Sequence, residues 1–239
     1  MNGGVEVEII ILLITAITVL VILAIVLKFN FGSIKLIKSV GEDKKLNEIT
    51  NALPENEQIC KDILKMLHNE EVNVKVGNEN SQASLYIVAT NSILIANIKN
   101  TFTRVQTIAH ECIHSVQDKR VLWFNFVFSN IYLIYFAFIT VLALFNKLPE
   151  VNVFAIVLVM MSMLLYFIRS YLETDAMIKA RYLAKEYMDM NKDLVGEDNI
   201  RIVVENYDKL NNIGVKFYNL KLIFDYMVKA IVFCLVAIF

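Results

Sequence analysis

Residues 121–168 decide the fold and read VLWFNFVFSNIYLIYFAFITVLALFNKLPEVNVFAIVLVMMSMLLYFI. The first 26 of them carry no charge, the four-residue break KLPE follows, and the last 18 are again uncharged. An α-helix needs about 20 consecutive apolar residues to cross the hydrocarbon core of a bilayer. The stretch therefore predicts a transmembrane helical hairpin.

The composition of the whole chain is typical of a membrane protein. Of its 239 residues, 57% are apolar and 20% are charged, whereas a soluble domain has about 45–50% and about 25%. Lys and Arg number 23 against 24 for Asp and Glu, and no basic stripe with interleaved aromatic residues is present, so we exclude nucleic acid as a partner. Cys60, Cys112 and Cys234 form no disulfide framework and are expected to be buried thiols facing a reducing compartment.

A further apolar run lies near the N-terminus. Residues 9–27 are free of charge, two glutamates precede them, and Lys28 follows. A cleaved signal peptide would carry basic residues before a shorter apolar region and a small-residue cleavage site after it. We therefore expect an uncleaved membrane anchor over residues 1–29.

The C-terminal residues 219–239 predict a fourth membrane segment. Asp225 and Lys229 lie inside it, four residues apart, so that they could pair on one helix face. The alternative is that this segment lies in the membrane interface or packs against the hairpin.

Basic residues indicate the orientation in the membrane. They follow the first and the third apolar run at Lys28, Lys35, Lys38, Lys44, Lys45 and at Arg169, Lys179, Arg181, Lys185, whereas the hairpin tip has only Lys147. Cytoplasmic flanks of membrane helices carry an excess of Lys and Arg. We therefore expect residues 30–120 and 169–218 to lie on the cytoplasmic side of the cell membrane.

The first cytoplasmic segment predicts a small α+β domain. Apolar residues recur at helical spacing between Lys44 and Asn69, and Pro54 divides them into two short helices. Residues 84–88 and 92–97 are apolar and β-branched, with turn residues between them, which predicts a β-hairpin. Helical spacing resumes over residues 103–120.

The chemistry of the chain is indicated by residues 110–114, which read HECIH and contain the pattern H-E-x-x-H. Because positions four apart are neighbours on one helix face, His110 and His114 can both bind one zinc ion. Glu111 then points to the side where an attacking water would sit. The pattern predicts a zinc-dependent hydrolytic site with Glu111 as general base; the alternative is a helix with two incidental, hydrogen-bonded histidines.

A catalytic zinc ion normally takes three protein ligands. His68 ends an amphipathic helix rich in Lys and Glu, so we expect it to be solvated or to cap that helix. Because an antiparallel hairpin returns the chain to the membrane surface that it left, Glu173 should lie near His114 and supply the third ligand. Glu186 is the alternative ligand, and Glu173 could instead pair with Arg169.

These features resemble a known family. The residues IAHE at 108–111 with His114 and Gln117, the hydrophobic hairpin, and LETDA at 172–176 are similar to the YugP-type neutral zinc metallopeptidases of bacterial membranes. More distantly they resemble the HtpX and CAAX prenyl protease group. The likeness covers roughly residues 84–185 and implies a zincin-like domain that holds zinc at a membrane surface.

The chain departs from that pattern in places. Ile113 and Ser115 replace the Gly and Ala usual in the family motif, which leaves the ligands unchanged. HtpX-like enzymes place an Asp four residues after the ligand Glu, where this chain has Met177. Since Asp175 is on another helix face than Glu173, we do not expect it to support the zinc ligands.

The leading hypothesis is therefore a zinc endopeptidase whose substrate is a peptide or a membrane protein. The strand over residues 92–97 could be an exposed edge to which a peptide adds as a β-strand, through Ser92, Ile93, Leu94, Ile95, Ala96 and Asn97. Equally, this strand could be paired only within the domain. The alternative functions are a catalytically silent membrane adaptor with structural zinc and a small transporter component.

The expected fold is mainly α-helical and integral to the membrane, with about four transmembrane helices and a small zincin-like domain. Its parts are an anchor at 1–29, a protease domain at 30–120, the hairpin at 121–168, a cytoplasmic helical segment with the third ligand at 169–218, and a membrane segment at 219–239. The sequence predicts no oligomeric state.

Overall fold

The computed structural model describes residues 43–77, 83–96 and 101–238 continuously, together with scattered positions between residues 7 and 40. The anchor predicted over residues 1–29 lies outside the described residues, apart from scattered helical positions. Asn97, the last residue of the predicted strand edge, also lies outside them. The structure is mainly helical with a small sheet, as the sequence predicts.

The chain divides into two compact units. We call the unit formed by Phe31–Trp123 and Leu172–Val215 the motif unit, because it contains the H-E-x-x-H motif. We call the unit formed by Met1–Asn30, Phe124–Tyr171 and Lys216–Phe239 the hairpin unit. All residues of the candidate site lie in the motif unit.

The motif unit begins with two short helices, which confirms the division predicted at Pro54. Helix α1 is Lys44–Asn51 and helix α2 is Asn56–Met66. The side chain of Asp43 caps α1, since its Oδ1 accepts hydrogen bonds from the backbone N–H groups of Lys45 and Leu46.

Three strands follow, β1 (Asn73–Val76), β2 (Leu85–Ile87) and β3 (Ser92–Ile95), in the spatial order β1-β3-β2. Strands β2 and β3 are antiparallel, which confirms the predicted β-hairpin, and Asn91 turns the chain between them in the left-handed region with φ 44°. Strand β1 pairs with β3 in parallel.

This order corrects the prediction of an exposed edge over residues 92–97. Strand β3 is the central strand and its backbone is paired on both sides, so Ser92, Ile93, Leu94 and Ile95 offer no free edge to a peptide. Three of these four residues are buried, and Ala96 after them is buried too. Strand β1, whose short sequence NVKV alternates polar and apolar residues, was not predicted from the sequence. The two edge strands of the sheet are therefore β1 and β2.

Helix α3 (Arg104–Val116) carries the motif and begins with a buried cation. The guanidinium of Arg104 donates hydrogen bonds to the carbonyl oxygens of Thr50, Leu53 and Pro54 and to Oδ1 of Asn56, at 2.7–2.9 Å. These acceptors form the corner between α1 and α2, where a proline has interrupted helical hydrogen bonding. Arg104 therefore fixes the start of α3 against that corner.

Two of the cysteines are buried in the motif unit, as predicted. Cys60 on α2 and Cys112 on α3 are free thiols whose sulfur atoms lie 3.7 Å apart. Cys234 is also free and is half-buried. Burial raises the pKa of the Cys112 thiol well above its usual value, so this sulfur stays protonated and acts as an apolar packing group.

The predicted hairpin is formed by α4 (Lys119–Leu144) and α5 (Val151–Met190), and the hairpin unit contains the part of it from Phe124 to Tyr171. The two helices are antiparallel, since Tyr135 donates to the carbonyl of Phe154 and Ser162 donates to the hydroxyl of Tyr132. Both are long and apolar enough to cross a membrane, and among the described residues they are the two helices that meet this criterion.

The chain continues through α6 (Lys192–Val195) and α7 (Glu197–Ile238), which Gly196 separates with φ 87°. The C-terminal part of α7 packs against the hairpin, in agreement with the alternative given for residues 219–239, and a fourth membrane span there stays a prediction. The shared core consists of buried side chains from all three helices: Tyr132, Ile139, Ala143, Leu158, Leu165, Leu222, Tyr226 and Phe233.

The predicted pairing of Asp225 with Lys229 is wrong. The Asp225 carboxylate lies 2.9 Å from Nζ of Lys221, four residues before it. Lys229 instead donates to the backbone carbonyl of Asp225 and lies over the ring of Tyr226. A charged residue on a helix has possible partners four residues away in both directions, and the sequence analysis considered only one of them.

The packing of Arg104 generates a prediction about stability. Replacing Arg104 with Met leaves four acceptors without their donor, three of them in buried contacts, and each buried acceptor left unpaired costs about 1–3 kcal/mol. We expect a loss of at least about 3 kcal/mol, or a fall in Tm of about 6–12 °C. Thermal unfolding of the detergent-solubilised protein measures it.

Arg201→Met is the matched control, because that side chain is 70% exposed and pairs with Asp198 three residues away on the same helix. Its stability should stay within about 0.5 kcal/mol of the wild type. Equal midpoints for the two variants would show that Arg104 does not hold the corner.

Candidate metal centre

Helix α3 presents two imidazoles on one face. His110 and His114 are one turn apart, and their Nε2 atoms lie 3.1 Å from each other. Their rings are nearly perpendicular, at 88°. Both Nε2 atoms therefore point to a common position beside the helix, as H-E-x-x-H predicts.

The carboxylate of Glu173 on α5 completes the group. Its Oε2 lies 3.3 Å from Nε2 of His110 and 3.7 Å from Nε2 of His114. The side chains of His110, His114 and Glu173 are 19%, 12% and 22% exposed, so the site is largely enclosed and still open to small molecules. Among the described residues this is the one group of His, Cys, Asp and Glu side chains that could hold a metal ion.

The ligand carboxylate is stabilised in its ionised form. Burial alone would raise the pKa of Glu173, but hydrogen bonds and charge from His110 and His114 outweigh it and hold this pKa well below its usual range. Burial lowers the pKa of His114, and the contact with Glu173 more than compensates, so that this pKa is raised. Glu173 is thus an anion at neutral pH, as a metal ligand must be.

Glu111 interacts electrostatically with all three ligands and is buried, with 7% of its surface exposed. Its Oε2 accepts a hydrogen bond of 2.7 Å from the backbone N–H of Tyr86 on β2. Burial raises the pKa of Glu111, although both histidines and the Tyr86 N–H act against this. A carboxylate with a raised pKa beside a metal site has the property that a general base needs.

A side chain that follows the motif connects it to α5. Oε1 of Gln117 lies 2.8 Å from Nδ1 of His114. Nε2 of Gln117 donates to Oδ2 of Asp175 at 3.0 Å and to the carbonyl of Leu172 at 2.8 Å. Gln117 therefore links Asp175 to His114, over a distance that the Asp175 side chain does not span by itself. This link was not expected from the sequence.

The remaining candidates lie outside the group. His68 follows α2 with φ 52°, and its N–H donates to the carbonyl of Lys65, so it occupies a helix-terminating position as predicted. Glu186, the alternative third ligand, is exposed and lies about 20 Å further along α5 than Glu173 at 1.5 Å per residue.

Sequence reasoning missed two contacts at the site. The N–H of Tyr86 belongs to the backbone, so no residue type could have indicated it. The link from Gln117 to Asp175 had a signal, since Gln117 stands three residues after His114, within reach of it at a helix end. The side of α5 that it contacts depends on how the two helices pack.

Comparisons with known proteins give no relative for this chain. No protein-family model, no curated protein and no solved structure matches it.

Metal analysis tests the group directly. We expect about one divalent metal ion per chain in the detergent-purified protein, because three ligands converge on one position. Glu173→Ala should weaken metal binding more than about 100-fold, and His110→Ala should abolish it, because two ligands hold an ion poorly. Elemental analysis and chelator competition measure both.

Glu186→Ala is the control, since it removes an exposed carboxylate of the same helix outside the group. It should keep the wild-type metal content. If Glu173→Ala kept it as well, the third ligand would lie elsewhere.

Proposed function

We propose that this chain is an integral-membrane zinc endopeptidase that hydrolyses peptide bonds at the cytoplasmic surface of the cell membrane. The observation that carries the proposal is the convergence of His110, His114 and Glu173, together with the buried carboxylate of Glu111, which interacts electrostatically with all three. The resemblance to the YugP-type metallopeptidases supports the same assignment from the sequence.

The donor atoms fit zinc. Two imidazole nitrogens and one carboxylate oxygen are typical ligands of a catalytic zinc ion, which keeps a fourth position open. Atoms held about 2.0–2.1 Å from one tetrahedral ion lie roughly 3.4 Å apart. The three distances here are 3.1, 3.3 and 3.7 Å.

The roles in hydrolysis follow from these positions. His110, His114 and Glu173 would hold the zinc ion, which would lower the pKa of water towards about 7 and polarise the scissile carbonyl. Glu111 takes the proton of the attacking water and passes it to the leaving amine. The Tyr86 N–H binds Oε2 of the Glu111 carboxylate, which leaves the other oxygen to accept the proton of the water.

The substrate is a peptide segment, and β2 is the strand to which it adds. Since the N–H of Tyr86 donates to Glu111, this N–H points away from β3 and is occupied, so a peptide on the outer edge of β2 would pair with the other backbone groups of that strand. An extended segment on that edge lies next to the general base. Leu85, on the same strand, is half exposed and offers an apolar contact.

A silent adaptor with structural zinc is disfavoured by the same residues. A structural zinc site is closed by four protein ligands, whereas three converge among the described residues. It also has no use for a buried carboxylate with a raised pKa beside the ligands. A transporter component would need intramembrane charges that form a path, and Asp225 is engaged with Lys221 on its own helix.

Substitution of the base separates an enzyme from an adaptor. Glu111→Gln keeps the size and the acceptor for the Tyr86 N–H but removes the base, so hydrolysis should fall by about 100-fold or more. Zinc should stay bound. Cleavage of casein and of a quenched peptide library, with zinc content measured in parallel, tests both statements.

Glu186→Gln, at an exposed position of α5, should retain wild-type hydrolysis. Loss of zinc from Glu111→Gln would instead make Glu111 a ligand, contrary to the proposed roles. A wild-type protein that holds zinc and cleaves nothing would favour the adaptor.

The orientation in the membrane can be tested with reporters. Because basic residues follow the first and the third predicted span, a reporter inserted near Asn78 should lie in the cytoplasm, and one fused after Phe239 should lie outside. Paired fusions that are active on opposite sides of the membrane measure this. An Asn78 reporter found outside would refute the cytoplasmic site.

A further inference from the structure

We propose that Gln117 is a positioning residue that links the carboxylate of Asp175 to the imidazole of His114 and thereby sets how tightly the site holds its metal. This inference rests on the proposed function, because it concerns the same ligands. It adds two residues, neither of which contacts the position where the three ligands converge.

The orientation of the Gln117 amide is fixed by its partners. Its nitrogen carries two hydrogens, and two acceptors, Oδ2 of Asp175 and the carbonyl oxygen of Leu172, lie within 3.0 Å of it. Reversing the amide would aim its oxygen at both acceptors. Oε1 must therefore face Nδ1 of His114, at 2.8 Å, as an acceptor.

This orientation determines the tautomer of His114. Because Oε1 of Gln117 only accepts, Nδ1 of His114 carries the hydrogen. In the neutral ring, Nε2 then carries the lone pair, and this is the atom that lies 3.1 Å from Nε2 of His110 and faces Glu173. The ring is held in the form and direction that metal ligation requires.

Both ends of the link are anchored. The backbone N–H of Gln117 donates to the carbonyls of Ile113 and His114 at the C-terminus of α3. The other carboxylate oxygen of Asp175 lies 2.7 Å from Nζ of Lys179. The amide is thus held between a helix end and a carboxylate that is itself fixed.

The amide lets Asp175 act from a face of α5 that it could not otherwise use. Asp175 projects about 200° away from Glu173 around a helix with 3.6 residues per turn. Gln117 bridges this offset and passes on the polarisation of the carboxylate through two consecutive hydrogen bonds. Asp175 is not one of the three ligands, so Glu173 stays the one negatively charged residue among them.

Zinc affinity of the full-length protein in detergent, measured by chelator competition, tests the link. Removing partners that orient a metal ligand costs about 10–100-fold in affinity. We expect this loss in Gln117→Ala. We also expect it in Gln117→Glu, where a second carboxylate faces Asp175 and no hydrogen is left to donate to it.

A reversed pair provides the sharper test. In the double variant Q117E/D175N, the amide of residue 175 can donate to the carboxylate at 117, which still accepts from Nδ1 of His114. Zinc should bind at least about fivefold more tightly to the double variant than to Gln117→Glu alone, which reveals the coupling. A Tm measured without metal accompanies each variant, because a merely structural link would lower the Tm and leave the affinity of the folded protein unchanged.

Asp189→Asn is the matched control. Asp189 also pairs with a lysine four residues away on α5, and it lies outside the link. The proposal is overturned if Gln117→Ala binds zinc within about twofold of this control, or if the double variant binds no more tightly than Gln117→Glu. A wild-type protein that binds no zinc refutes the proposed function instead, so the two failures are distinguishable.

Discussion

The return of α5 to the end of α3, where Gln117 donates to the carbonyl of Leu172, is the constraint on which the site depends. Helix α3 ends at Val116 and α4 begins at Lys119, so the motif stands directly before the hairpin, while α5 runs without interruption past residue 168 to Glu173. A helix pair that leaves and returns brings residues close that are far apart in the sequence, at a lower entropic cost than a flexible loop of that length. The hydrogen bond from Gln117 to the carbonyl of Leu172 joins the two ends.

Features that depend on local spacing were predictable. Charge-free runs indicated α4 and the first part of α5, Pro54 indicated the division between α1 and α2, and H-E-x-x-H on a helix placed two imidazoles together. The parallel strand β1 was not predictable, because four alternating residues carry little signal and their partner lies about 20 residues away. Because β1 was not predicted, β3 was expected to be an edge strand, whereas it is the central strand.

Within the site, the predictable part was the set of ligands, and the missed part was what holds it. Glu173 follows from topology, since a hairpin returns the chain to where it began. The contacts of Gln117 and of the Tyr86 N–H depend on side-chain torsions and on which backbone groups a strand turns outwards. A sequence specifies these contacts only through the complete packing of the chain. For this reason the link between Asp175 and Gln117 was not predicted.

Glu173 and Glu111 both interact with His110 and His114, but their pKa values are shifted in opposite directions. Glu173 contacts both imidazoles, and these hydrogen bonds lower its pKa despite burial. Glu111 is buried more deeply and contacts a backbone N–H rather than an imidazole, so burial dominates and its pKa is raised. A carboxylate that stays ionised suits a metal ligand, and one that accepts a proton more readily suits a base. The difference arises because one residue comes from α5 and faces the imidazole edges, whereas the other comes from α3 itself and is turned towards β2.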